Sequence, residues 1–130
     1  MKFGYTIIYV PDVPASLIFL ESAFEFSRRS LHESGTYGEL QTGETTLAFA
    51  AHELAEMNFK TGHVQASQSP ESLGVEVAFV TDNVRTAHER ALTAGAVELA
   101  SPISKPWGQV VSYVRCPDGS LVEFCTPVSP

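Results

Sequence analysis

One order of apolar, capping and turn residues is written twice in this chain, and that repetition restricts the fold more than any single motif. Phe3 to Val10 has strand composition and stops at Pro11. Asp12 then stands as a helix N-cap, with Pro14 tolerated in the first turn, and Val13, Leu17, Leu20 and Phe24 follow at helical spacing. Arg28 to Glu33, Thr36 to Gln41 and Glu44 to Ala51 read as three short strands punctuated by Gly35 and Gly43. The stretch from Glu53 to Leu73, with Gly62, Pro70 and several Ser and Gln, reads as an irregular linker.

The order then restarts. Gly74 to Thr81 is a strand, Asp82 and Asn83 can cap a helix, and Val84, Ala87, Ala91 and Ala94 make its apolar stripe until Gly95. Val97 to Ala100, Gln109 to Arg115 and Ser120 to Thr126 are the remaining strand segments. Both halves read βαβββ, although their residue identity is poor, so the repeat is one of pattern. The expected fold is α+β, with modules at 1–52 and 74–130 joined by 53–73. A four-stranded sheet with one helix leaves its other face uncovered. Two such sheets are expected to form an eight-stranded half-open barrel around a central cavity.

Period-two alternation assigns the faces. Thr6, Ile8 and Val10 are expected against the helix, with Tyr5, Ile7 and Tyr9 toward the cavity. Leu47 and Phe49 go to the helix side, and Thr46, Ala48 and Ala50 to the other. In the second half Val77 and Phe79 pack on the helix, leaving Glu76, Ala78 and Val80 inside. In the last strand Val122 and Phe124 face the helix, and Leu121, Glu123 and Cys125 face the cavity.

Glu123 is the residue this pattern makes conspicuous. It interrupts the apolar run GSLVEFCTP, opened by Pro-Asp-Gly, and a buried carboxylate without a partner costs several kcal/mol or shifts its pKa upward. It can serve as a ligand anchor, a general base, a metal ligand or a structural carboxylate held by Tyr5 or a backbone donor. Glu76 has the same alternatives, and two carboxylates sharing a cavity would raise the pKa of one. Glu39, alternating with Leu40, faces either the cavity or solvent.

Composition narrows the partners. Fifteen acidic against eight basic residues give a net charge of −7 with no basic run, which argues against nucleic acid and anionic membranes. No apolar stretch approaches the ~20 residues of a membrane-spanning helix, and MKFGYT lacks a signal-peptide pattern, so a cytoplasmic protein is expected. Cys116 and Cys125 fit neither a metal knuckle nor a disulfide scaffold.

The paired βαβββ halves, the opening YTIIYVPDVPAS, the second-half VEVAFVTDNVRTAHERALTAGA and the terminal KPWGQVVSYVRCPDGSLVEFCTP resemble the glyoxalase/bleomycin resistance/extradiol dioxygenase superfamily, the vicinal oxygen chelate fold. Metal enzymes of that family place ligands on the first and last strand of each half. The matching positions here are Tyr5, Ala48, Glu76 and Glu123. Only Glu123 carries the family's residue, no histidine stands at any of the four, and Ala48 has no donor. The resemblance therefore implies a metal-independent relative, close to the bleomycin-resistance branch, without a cofactor. It also implies a homodimer, and places the Trp107-Gly108 loop at the pocket mouth.

Together these readings give a small-molecule-binding protein with Tyr5, Ile7, Tyr9, Glu76, Trp107 and Glu123 as ligand-contacting residues. A basic or polar-aromatic ligand suits the acidic lining. The alternatives are a metal-dependent lyase, isomerase or dioxygenase, and a non-catalytic interaction module. Of the histidines, His88 is expected in solvent, His32 on an edge strand, and His52 and His63 near the end of the fourth strand and in the linker.

Overall fold

The computed structural model describes residues 1–128. Its elements run β1 (Tyr5–Val10), α1 (Val13–Phe24), β2 (Ser27–Leu31), β3 (Tyr37–Gln41), β4 (Thr46–Ala51), α2 (His52–Asn58), β5 (Glu76–Val80), α3 (Val84–Ala94), β6 (Val97–Ser104), β7 (Val110–Arg115) and β8 (Leu121–Cys125). A single 3-10 turn, Ala66–Gln68, lies between α2 and β5. The chain divides into two compact units, with the division between Ser69 and Pro70.

In the first unit the strand order is β1-β4-β3-β2, with β1 parallel to β4 and the other pairs antiparallel. Asp12 caps α1 by accepting the Ala15 N–H at 3.1 Å, and Pro14 occupies the first turn as expected. The helix buries Val13, Ser16, Leu17, Leu20 and Ala23; Phe24, assigned to the stripe from its spacing, is half-buried instead. Leu17, Leu40 and Phe49 are fully buried, and each removes apolar surface worth roughly 1.5–3 kcal/mol. Gly38 is the close-approach point. A Cβ there would lie 2.6 Å from Leu17 Cδ1, so β3 receives α1 only because it carries glycine at that position. Gly38 and Leu40 thus face α1, and Tyr37, Glu39 and Gln41 face away.

The second unit repeats the topology as β5-β8-β7-β6, with β5 parallel to β8. Asn83 caps α3 through Thr86 N–H at 3.1 Å, and Gly95 ends it at φ +120°. Two sequence expectations change here. Ala94 is exposed, and His88, expected in solvent, is only 2% exposed on the buried stripe with Val84 and Ala91. It stands four residues after Val84, on the same helix face, and both ring nitrogens are satisfied: Nδ1 with Ser112 Oγ at 2.9 Å and Nε2 with Glu98 Oε2 at 2.7 Å. Paired in this way, imidazole can be buried without the cost of an orphaned polar group. These bonds tie α3 to β7 and β6. The contact from His88, then that from Ser101, holds Glu98 below the usual carboxylate range.

The stretch expected to be irregular contains α2, which buries His52 and Ala55. β6 runs to Ser104, longer than its sequence pattern suggested, because two register shifts let it continue past Ala100 along β7. Among the described residues, no helix is long and apolar enough to cross a membrane.

Candidate functional site

The second unit answers the question posed by Glu123. Its hairpin turns at Pro117-Asp118-Gly119, where Asp118 accepts the Ser120 N–H at 2.9 Å. The register that follows sets Val114 opposite Val122, Tyr113 opposite Glu123 and Ser112 opposite Phe124. Ser112 bonds to His88 of α3, so it faces the helix, and Tyr113 and Glu123 face away from it. The Tyr113 hydroxyl donates to Glu123 Oε1 at 2.5 Å. On the parallel neighbour β5, Ala78 is opposite Glu123 and Glu76 is opposite Leu121, which makes Glu76 the diagonal neighbour of Glu123 on the same face.

The electrostatics follow from this grouping. Partial desolvation, then the Glu123 charge and a hydrogen bond to it, hold Glu76 above the usual carboxyl range. The hydrogen bond to Glu123, followed by desolvation and the two nearby carboxylates, pushes Tyr113 up to about 12. Burial, then Glu123, also raises Cys125, whose Sγ lies 3.8 Å from the Phe79 carbonyl oxygen. That thiol is no activated nucleophile. Cys116 is pushed up mainly by burial, and both cysteines are free. The chemistry on offer is two neighbouring carboxyl groups, one of them held above its usual range, and a phenol that orients the other.

On the first sheet, away from α1, Tyr5 and Ile7 are 58% and 43% exposed. Tyr9 is half-buried. Its ring meets Phe59 at 6.5 Å and His63 at 5.5 Å. His63 also stacks on His52 at 5.1 Å, with His52 Nδ1 and His63 Nε2 2.9 Å apart. Burial, then His63, lowers the His52 pKa, against the opposing pull of Glu56 and Glu53. The segment after α2 thus folds back over Tyr9.

The same face carries a network that sequence reasoning missed. The Tyr37 hydroxyl donates to Glu39 Oε2 at 2.8 Å, and desolvation with that bond pushes the phenol up to about 12. Arg29 donates to Thr46 Oγ1 at 2.8 Å and to Gln41 Oε1 at 2.7 Å, with Glu39 Oε1 3.6 Å away.

Of the six residues expected to contact a ligand, Glu76 and Glu123 come together in the second unit, and Tyr5, Ile7 and Tyr9 share one face in the first. Trp107 lies in the β6–β7 turn, 65% exposed; its indole N–H donates to Gln109 at 2.8 Å. Tyr113, Tyr37 and Arg29 were not anticipated. Tyr113 had a readable signal: a hairpin centred on Asp118 puts the residue five after the centre opposite the residue five before it.

The four positions aligned with the family's metal ligands do not fit a transition metal. In the first unit Ala48 offers no donor and Tyr5 only a phenol. In the second, Glu123 is engaged by Tyr113 and Glu76. No group of three or more His, Cys, Asp or Glu suited to a metal ion occurs among the described residues.

A family model described as Glyoxalase-like domain matches residues 3–129. Among solved structures, a glyoxalase-related enzyme from Fulvimarina pelagi superposes with a TM-score of 0.83 at 18% identity, covering 98% of this chain and 88% of its own. A glyoxalase/bleomycin resistance protein/dioxygenase family enzyme from Burkholderia phytofirmans gives 0.76 at 23% identity, covering 99% and 100%. A glyoxalase/bleomycin resistance protein/dioxygenase from Nocardioides gives 0.74 at 20%, covering 99% and 85%. At these identities the structural likeness establishes the fold. A comparison with curated proteins gives no match.

Proposed function

The chain belongs to the glyoxalase-like domain family, and from that premise we propose that it is a metal-independent small-molecule-binding protein that takes a basic ligand at Glu123 and Glu76. The observation that carries this reading is the Tyr113–Glu123–Glu76 group on the face of the second sheet away from α3. A protonated amine is a better partner for Glu123 than the proton-sharing neighbour it now has. Binding it favours ionised Glu76, so the amine and a proton compete for this group. Trp107, in the β6–β7 turn of the same unit, offers an aromatic face, while Tyr5, Ile7 and Tyr9 offer the first sheet a ligand-contacting surface of its own. The protein acts as a cytoplasmic homodimer without a cofactor, and nucleic acid and membranes are not its partners; its charge balance and its family resemblance support this.

Two of the structural neighbours are named as enzymes, which favours a second reading, a lyase, isomerase or dioxygenase. One experiment separates the two. Benzylamine is titrated into the protein with and without a chelator, followed by calorimetry and by fluorescence of the single tryptophan. The binding reading expects saturable affinity that ignores the chelator and falls about ten-fold or more in Glu123→Gln. Because the Glu76 pKa is raised, affinity should drop as pH falls through that raised value. Binding that needs added metal, or turnover restored by it, would transfer the assignment to the enzyme reading.

A further inference from the structure

Arg28 and Arg29 are adjacent, yet the structure employs them differently. Arg28 is opposite Leu40, on the α1 side, and its Nη2 meets Glu21 of α1 at 2.7 Å. The β2–β3 register then slips: Ser30 pairs with Glu39 and Leu31 with Gly38, which leaves Arg29 as the extra residue of a bulge. The bulge turns its guanidinium to the opposite face, among Thr46, Gln41 and Glu39. Thr46 and Gln41 are neutral acceptors and take one N–H each. The group nearest in charge is Glu39, at 3.6 Å, beyond direct hydrogen-bond reach, and Glu39 already accepts from Tyr37 at 2.8 Å.

A guanidinium has five N–H groups in a planar fork. Two are used in fixing this one, and the rest have no hydrogen-bond partner among the described residues. The side chain is held from two sides, 36% exposed, and less than fully neutralised. An exposed arginine that merely solvates itself has no such bracing; here the entropy of ordering the side chain is already met before a ligand arrives.

We infer that the face of the first sheet away from α1 carries an oxyanion site, centred on the Arg29 guanidinium, for the carboxylate of a small organic acid. A planar, singly charged carboxylate matches the fork. Glu39 sits too close for a dianionic phosphate to be equally welcome, and the net charge of −7 disfavours it further. Tyr5, exposed on the same face and near enough to Tyr37 for their charges to interact, offers ring surface for the acid's organic portion. The site does not depend on the amine reading of Glu123.

The test titrates sodium benzoate, and in parallel benzylamine and methylphosphonate, into the intact protein. The readouts are the Arg29 Nε–H resonance and calorimetry. Benzoate should shift the Arg29 resonance saturably and bind more tightly than methylphosphonate. Arg29→Gln should weaken benzoate about ten-fold or more, with benzylamine unaffected. Arg29→Lys should recover only part of the loss, because it restores charge without the fork. Glu39→Gln should tighten benzoate, since it removes the competing carboxylate. Absence of saturable benzoate binding, or equal binding by Arg29→Gln, would overturn the proposal. So would tighter methylphosphonate. Benzylamine binding without benzoate binding would defeat this site alone, and the reverse would defeat the Glu123 reading alone.

Discussion

The two sheets share a topology and differ in where they keep their charge. Across the middle of the face away from the helix, the first unit reads Ile7, Ala48, Glu39 over β1, β4 and β3. The second reads Ala78, Glu123, Tyr113 over β5, β8 and β7. Each has one carboxylate bonded to one tyrosine. In the first unit the carboxylate sits one strand further out, where a bulge supplies Arg29 to face it. In the second it sits on the inner strand β8, with a second carboxylate as neighbour. One scaffold therefore sets a carboxylate beside a cation on one sheet and beside a second carboxylate on the other. The shared topology does not decide this. Single side chains at matched register positions do, together with one register slip in β2.

The strongest way to break the comparison is to give the first sheet the carboxylate of the second. Ala48 is fully buried, with Ile7 and Glu39 as register partners. Ala48→Glu would bury a charge against a like charge, and should destabilise by about 3 kcal/mol or more. Urea unfolding measures this directly. A variant as stable as the parent would mean that the first face has room and solvent for a carboxylate, and the contrast drawn between the sheets would collapse.

A smaller effect sharpens the contrast between the two tyrosines. Tyr113→Phe leaves Glu123 beside Glu76 without its donor and should cost ~1–2 kcal/mol at neutral pH. Tyr37→Phe leaves Glu39 the Arg29 charge and should cost about half as much. Both phenols are raised from 10.0 to about 12 in the folded protein. A raised folded pKa contributes stability that is fully present below the unfolded value and lost as pH rises through the folded one. Parent stability should therefore fall between roughly pH 10 and 12, and each Phe variant should flatten part of that fall. Denaturation series at neutral and alkaline pH decide it. Equal costs for the two variants would remove Arg29 as the compensating charge.

How far these features could be read in the sequence depends on whether they obey a period. The two βαβββ units, their caps at Asp12 and Asn83, and the faces of Ile7, Glu76 and Glu123 follow from alternation and helical spacing, which are local. His88 obeys the helical period too, but the charged residues around it in the sequence are those of a solvated helix face. Its partners, Ser112 and Glu98, lie on other elements and leave no local mark. Arg29 was hidden for a different reason. Strict alternation puts Arg28 and Leu31 on opposite faces. The bulge puts both toward the helix, Arg28 on Glu21 and Leu31 within 3.4 Å of where a Gly38 Cβ would lie. His52 and His63 meet across eleven residues of chain with no period at all. Periodic features were legible, and those made by a register break or a loop were not.

The smallest expected effect concerns the ends of the two helices. α3 stops at Gly95, φ +120°, whereas α1 stops at Glu25, held at φ +60° and ψ +21°, the left-handed region that favours glycine. The first unit thus holds a strained terminus where the second has a relaxed one. Glu25→Gly should raise stability by about 0.5–1 kcal/mol, with glycine's larger unfolded-state entropy taking back part of the relief. The matching change, Gly95→Ala, should lower stability, although the nearest atom to its new Cβ, Pro117 Cγ at 3.9 Å, leaves ample space, because φ rather than packing sets the cost. If Glu25→Gly destabilises instead, the contacts of the Glu25 side chain outweigh the strain of its backbone. The two helix ends would then be alternative solutions of similar quality, one held by a side chain and the other by the absence of one.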